Sequence, residues 1–331
     1  MKAKKPRKKA TALVMFSGGL DSILAVKLLE GQGIRVEGIT ITTPFSNSDT
    51  PIKNAERIGL KLHVVKAGKG YFDLIRKPKH GYGANMNPCL DCKVYFFKKA
   101  KAIAKKIRAG FIATGEVLGE RPFSQRKNQL ELIEKNAGLK GKVLRPLSAR
   151  LLPPTEAEMN GLVDRKRLMA IQGRTRRQQM ELAKKFNIRK YPSPGGGCLL
   201  TDKPFSSKLR DFLEHNKNLD WKDVEFLKLG RHFRYKKEKI IVGRNEKENV
   251  RLMTLAKKQK LAWMEVKNYP GPVSVLQGKS GDIVKKAAAL TVLYSDAPYK
   301  EVELTHVKGR KEKTIKSRPV KKKELEQMRI V

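Results

Sequence analysis

The stretch Thr11–Ser22, TALVMFSGGLDS, decides the reading of this chain. Residues 11–16 have the composition of a buried strand, and the loop Ser17-Gly18-Gly19-Leu20-Asp21-Ser22 opens an amphipathic helix near 20–31. A Ser-Gly-Gly turn between strand and helix sets several backbone N–H groups at the positive helix end, where glycine lets an anion approach closely. Ser17 and Ser22 add hydroxyl donors, and Asp21 is suited to hold Mg²⁺ against phosphates. The pattern GxxxxGK[ST] is absent, so P-loop chemistry on a γ-phosphate is not indicated.

Working outward, strands are expected at 34–42, 62–65, 110–115 and 143–147, with helices at 51–59 and 93–108 between them. Alternation at this spacing predicts an α/β fold, a doubly wound parallel sheet with helices on both faces. Its ligand site should lie beyond the carboxyl ends of the strands. Ser17, Thr42, Thr43, Gly68, Gly115 and Glu116 fall there. Residues 155–190 read as helical and strongly basic, then comes the loop YPSPGGGCLLTD and a helix at 205–215. From about Asp223 the texture changes to short strands (240–243, 263–266, 272–276, 290–294, 301–307) around helices at 246–260 and 280–288, a second, smaller α+β domain. The expected organisation is a basic tail 1–10, a nucleotide domain 11–202, a helical linker 203–222 and a second domain 223–331.

Lys and Arg number 73 against 32 Asp and Glu, a formal net charge of +41. Self-repulsion on this scale points to a polyanionic partner, nucleic acid before membrane. No apolar run reaches the length of a membrane span, and MKAKKPRKKA leads into too short an apolar stretch for a signal peptide, so a cytoplasmic chain is expected. Three cysteines in such a chain suggest metal or redox chemistry rather than a disulfide scaffold.

SGGLDS resembles the signature of the N-type ATP pyrophosphatases (PP-loop enzymes), which adenylate a carbonyl or carboxylate oxygen and release pyrophosphate. The resemblance implies the adenine nucleotide alpha-hydrolase-like fold, ATP on Ser17, Gly18, Gly19, Leu20, Asp21 and Ser22, and adenosine contacts from Ile39, Thr40, Thr114, Gly115 and Glu116. Cys89 and Cys92 stand in NPCLDC, and Cys198 stands far along the chain behind Pro-Gly-Gly-Gly. A helix N-terminus and nearby lysines favour thiolates. With the fragments KHGYGANMNPCLDCK and TGEVLGERPFSQ, residues 11 to about 202 resemble tRNA thiouridine synthases of the ThiI and MnmA kind. The resemblance implies that Asp21 and the three cysteines are catalytic. The cysteines are then ligands of a [4Fe–4S] cluster, or a persulfide donor with its resolving partner, or a zinc site completed by His80.

The segment KIIVGRNEKENVRLMTLAKKQKLAWMEVKNYPGPVSVL resembles the NFACT-R RNA-binding module, although Ala262-Trp263-Met264-Glu265 lacks the histidine often found there. Arg121, Gln125, Arg174, Arg176, Arg177, Arg231, Arg234, Arg244 and Asn245 are the expected RNA contacts, with His232 and the basic 308–323 tract as further phosphate partners. Tyr269 or Tyr299 could stack on bases. Taken together, the expectation is an ATP-dependent tRNA sulfurtransferase that adenylates a uridine carbonyl before sulfur displaces AMP. Its partners would be tRNA or another structured RNA and a sulfur donor, a cysteine desulfurase or free sulfide. A non-catalytic RNA- or ribosome-binding factor with a relic loop, and an amidating enzyme, are the alternatives.

Overall fold

A computed structural model describes residues 10–46, 49–192, 198–298 and 300–331. The chain divides into two compact units, Met1–Thr201 and Asp202–Val331. The basic tail up to Lys9, the Ser193–Gly197 run before Cys198, and Tyr299 lie outside the described residues.

In the first unit the elements are β1 (Thr11–Met15), α1 (Leu20–Glu30), β2 (Arg35–Thr42), α2 (Asp49–Arg57), β3 (Leu62–Lys66), α3 (Lys69–Arg76), α4 (Cys89–Lys106), β4 (Phe111–Thr114), α5 (Lys127–Ala137), β5 (Val143–Leu144), α6 (Glu156–Met159) and α7 (Arg177–Lys185). The sheet is parallel throughout, in the order β3-β2-β1-β4-β5. A strand covered on both faces must be apolar on both, and β1 is. Ala12 and Val14 pack with Ile23, Val26 and Leu29 of α1, whereas Leu13 packs with Phe97 and Ala100 of α4 and Ile133 of α5. The doubly wound reading therefore holds, and it places the carboxyl ends of β1, β2 and β4 side by side.

Three local expectations are corrected. Helix α4 begins at Cys89, not at 93, with Pro88 as its N-cap, so both cysteines of NPCLDC lie in its first turn or just beyond. The basic stretch 155–190 is not one helix. Gly161 and Gly173 adopt positive φ (66° and 85°), Asp164 caps a 3₁₀ turn at Arg165–Arg167, and only α6 and α7 remain helical. Residues 290–293 are the end of a helix rather than a strand.

The second unit comprises α8 (Lys203–His215), α9 (Trp221–Leu227), β6 (Arg231–Tyr235), β7 (Glu238–Val242), α10 (Glu246–Lys258), β8 (Ala262–Val266), β9 (Ser274–Gln277), α11 (Gly281–Leu293), β10 (Val302–Lys308), β11 (Lys311–Ser317) and α12 (Lys322–Met328). Its antiparallel sheet runs β11-β10-β8-β9-β7-β6. Ile283, Ala287 and Leu290 of α11 pack on one face with Met264, Val266 and Leu304. Leu252 and Ala256 of α10 pack on the other with Trp263 and Val275. The segment 203–222 is part of this unit rather than a linker, because Asp211 of α8 pairs with Arg234 (2.6 Å) and Lys239 (2.9 Å) of the sheet.

Candidate functional site

Above the carboxyl ends of β1, β2 and β4 lies a cavity of about 490 Å³. Ser17, Asp21 and Ser22 form one part of its wall, Ile39, Thr40, Thr114, Gly115 and Glu116 another, and Cys89, Cys92 and Cys198 a third.

The loop is built for close approach. Gly18 adopts φ +73°, and a Cβ there would stand 2.8 Å from the backbone of Thr50 and Pro51. Asn54 of α2 donates to the Gly18 carbonyl at 2.7 Å and holds the turn. Ser22 Oγ donates to the Gly19 carbonyl at 2.8 Å, and Gly19 N–H donates to Ser17 Oγ at 3.3 Å. Gly115 has no room for a side chain at all, since a Cβ would lie 2.5 Å from the Asp21 carbonyl and the Ser22 nitrogen. Leu20, expected among the nucleotide contacts, sends its side chain into the core with Leu24, Leu28 and Val117. Only its backbone belongs to the loop.

Asp21 Oδ1 is buried without a hydrogen-bond partner. Burial pushes the Asp21 carboxyl above the usual aspartate range, against the pull of Arg176, Gln179 and Arg121. A hard oxygen donor left unsatisfied beside an anion cradle fits a divalent cation that arrives with phosphates. Arg176, expected at an RNA surface, faces this carboxylate instead, and its Nε is also buried and unpartnered. Gln179, which the sequence reading missed, is fully buried on α7 with both amide atoms unbonded. Its place follows from α7 packing against α1, a contact that no local motif announces.

At the other end of the cavity Glu116 accepts from Lys93 (2.5 Å) and from Arg145 Nε (3.2 Å), and Arg145 reaches on to Glu134 (2.5 Å). Burial opposes ionisation of Glu116, yet the Lys93 and Arg145 cations hold its carboxyl below the usual range. This buried chain of alternating charge ties α4, β4, α5 and the segment after β5 together. Gln125 is buried as well, its Oε1 accepting from Arg121 N–H at 2.9 Å, so it shapes the loop that carries Arg121 into the cavity wall.

The cysteine wall is assembled from three segments. Met86 N–H donates to the Leu200 carbonyl (3.1 Å), Asn85 to the Thr201 carbonyl (2.6 Å), and Leu199 N–H to the Phe45 carbonyl (3.2 Å). Cys92 is buried with its Sγ 3.5 Å from the hydroxyl of Tyr71, a fully buried ring stacked on Phe96. The expectation that surroundings favour thiolates is overturned for two of the three: burial pushes the thiols of both Cys92 and Cys198 up. Among the described residues no three His, Cys, Asp or Glu side chains are gathered into a set that could hold a metal ion. His80 is committed elsewhere, its Nδ1 2.8 Å from Asp91 Oδ1 and its Nε2 3.4 Å from Asn136. The side chains as placed therefore fit neither the zinc site nor the [4Fe–4S] cluster.

In the second unit the expected RNA contacts serve the fold. Arg234 is bound to Asp211, Arg231 lies 4.6 Å over the Tyr294 ring, and Arg244 is held by Glu248. Asn245 caps α10, and His232 is buried against the Leu229 carbonyl at 2.8 Å. Arg174 and Arg177 are exposed on the first unit, and Tyr269 is exposed on the second.

Comparison with known proteins resolves the class in two parts. Residues 8–150 match the family model described as "Thiamine biosynthesis protein (ThiI)" and residues 230–329 the one described as "NFACT protein RNA binding domain". The two matches fall one in each compact unit of the chain. It is 36% identical over 133 residues to a "Probable tRNA sulfurtransferase" of Ureaplasma urealyticum serovar 10, covering 37% of this chain and 32% of that protein. It is 28% identical over 137 residues to "tRNA-specific 2-thiouridylase MnmA" of Marinobacter nauticus, covering 37% and 35%. The chain therefore spans about a third of the length of these curated relatives. Among solved structures, a 4-thiouridine synthetase–RNA complex with bound ATP aligns with 17% identity and a TM-score of 0.34, over 54% of this chain and 52% of that one. No helix among the described residues is long and apolar enough to cross a membrane.

Proposed function

We propose that the protein is an ATP-dependent RNA sulfurtransferase, with tRNA as the favoured substrate. One observation carries this reading: the SGGLDS loop, Asp21 and all three cysteines line a single cavity. ATP would lie with its phosphates on the loop and its adenosine between Ile39–Thr40 and Thr114–Gly115. Asp21 would hold Mg²⁺, whose chemistry is charge neutralisation on the phosphates. A uridine carbonyl oxygen, presented by a base flipped from its stack, attacks the α-phosphorus and pyrophosphate leaves. Sulfur then attacks the activated ring carbon and AMP leaves with the oxygen. Without adenylation that oxygen is too poor a leaving group.

Three thiols on one wall, with no metal-ligand set gathered among them, support the persulfide route. The terminal sulfur of a cysteine persulfide, loaded by transfer of sulfane sulfur from the persulfide of a desulfurase, bonds to the ring carbon. A second cysteine thiolate attacks the enzyme-side sulfur, the thiouridine leaves as its thiolate, and the resulting disulfide is reset by an external thiol. The second unit supplies RNA docking. A tRNA substrate would be met in the cytoplasm.

Nucleoside mass spectrometry of RNA from a deletion strain tests the reading. A thionucleoside should disappear and return with the wild-type gene but not with Cys198→Ala. If every thionucleoside persists in the deletion, the sulfurtransferase reading fails. RNA-dependent pyrophosphate release separates it from a binding factor with a relic loop.

A further inference from the structure

Arg231, Arg234 and Arg244 of the second unit are engaged within the fold, whereas another group of cations in that unit is not. Strands β10 and β11 form a hairpin closed by Gly309, at φ +65°, and Arg310. Its pairing register sets Lys308 opposite Lys311 and His306 opposite Lys313. Cross-strand partners share a face, so these four side chains form two rows on one face. The rows are about 7 Å apart, two residues of strand rise, a step similar to that between successive phosphates on an RNA strand. Arg310 stands at the tip beyond them.

Charge is distributed unevenly along this hairpin. At its base the cations are answered, Lys316 by Glu303 (3.7 Å) and Arg318 by Glu301 (3.9 Å). At its tip Lys308, Arg310, Lys311 and Lys313 are exposed and take part in no ion pair among the described residues. Like charges directly opposed across strands destabilise a hairpin, and here the opposed pair closes it. The Nε2 of His306 is buried on the same face without a hydrogen-bond partner. Next to it, His306 pairs across β10–β8 with Met264, so the grid stops against the apolar body of the sheet.

We propose that the exposed tip cations Lys308, Arg310, Lys311 and Lys313 form a phosphate-binding finger that grips the sugar–phosphate backbone of RNA. It deepens the RNA-docking part of the proposed function and is independent of the ATP and sulfur chemistry. The finger reads no sequence. Its ammonium groups neutralise consecutive phosphates. Lysines also guard exposed sheet edges such as β11 against pairing with another chain. That role asks for charge along the whole strand, whereas here the unanswered charge is concentrated at one end.

The test measures binding of fluorescent unfractionated tRNA to the full chain, by anisotropy, from about 50 to about 200 mM salt. The triple variant Lys308→Gln/Lys311→Gln/Lys313→Gln should bind at least tenfold more weakly. Its slope of log K against log[salt] should be shallower by about 2, at roughly 0.7–0.9 per lost phosphate contact. The corresponding Lys→Arg triple should retain both affinity and slope, which shows that the hairpin still folds. A control of equal charge loss, Lys217→Gln/Lys316→Gln/Arg318→Gln, should lose much less. The proposal is overturned if the tip triple keeps the wild-type slope, or if the control falls as far. It is also overturned if the tip triple binds tRNA normally but self-associates, or if the tip is needed for phosphatidylserine vesicles and not for tRNA. A protein that passes this test and still thiolates nothing would refute the sulfurtransferase reading while leaving the finger intact.

Discussion

Asp21 has a carboxylate oxygen that the folded chain does not satisfy. Its raised pKa means that the folded state holds its proton to higher pH than the unfolded chain does. Stability therefore falls as pH rises through the window from the ordinary aspartate value to the raised one, and the cost remains at neutral pH. Asp21→Asn should raise the thermal midpoint of the nucleotide-free protein near neutrality. That gain should vanish as the pH drops below the ordinary aspartate range. The same variant should lose pyrophosphate release by about 100-fold or more, as removal of a charge-stabilising group does. A melting series in pH beside a pyrophosphate assay measures both. A more stable but inactive variant is the expected outcome, since functional sites trade stability for chemistry. The cysteines separate at this scale too. Cys92 is buried under Tyr71, whereas Cys89 is only partly covered at the start of α4. Iodoacetamide should label Cys89 about tenfold faster than Cys92, read by peptide mass spectrometry.

Among elements, the Lys93–Glu116–Arg145–Glu134 chain joins four segments beneath the cavity. Arg145→Met would leave Glu116 with one cation and Glu134 with none, at a cost of about 3–5 kcal/mol in urea unfolding. The cost should shrink as pH falls. Glu116 has a lowered pKa, so its pairing stabilises above the ordinary glutamate value and is lost as pH drops through the folded value. Glu116 was legible as a residue of the site, but its ion pairs were not, because Lys93, Glu134 and Arg145 lie 23, 18 and 29 residues from it in sequence and share no spacing rule. What was legible was local. The strand–loop–helix at Thr11–Ser22 announced itself through apolar run and glycines, and the sheet followed from alternation. Helices α3 and α5 were missed. Their amphipathic patterns are short and carry no strong caps, since Gly68 and Arg126 make no side-chain cap bond. The basic stretch 155–190 misled in the opposite way. Lys, Arg, Gln and Glu favour helix, but the turns at Gly161 and Gly173 prevail. In the second unit the arginines were legible as cations, though not as partners of Asp211, Tyr294 and Glu248, which only tertiary packing supplies.

For the molecule as a whole, a net charge of +41 makes self-repulsion a standing cost. Screening acts over about 10 Å at 0.1 M salt. The thermal midpoint of the RNA-free protein should therefore climb by several degrees between roughly 20 and 300 mM salt, whereas tRNA binding weakens over the same range. A midpoint that falls with salt would show that the positive charge is internally neutralised. Each unit has its own core, and Asp202–Val331 should fold when expressed alone, with dispersed amide resonances as the readout.

Gly115 brings the end of β4 against the backbone of Asp21 and Ser22, with no side chain between them. The two halves of the proposed nucleotide seat thus meet in one backbone contact, held from beneath by the sheet rather than by mobile side chains. A seat made this way needs no ordering when its ligand arrives, which lowers the entropic cost of binding. Capture of ATP should then be a single fast phase limited by encounter, with no slower rearrangement behind it in stopped-flow records. Amide exchange at Asp21, Ser22 and Gly115 should be as slow before nucleotide is added as after.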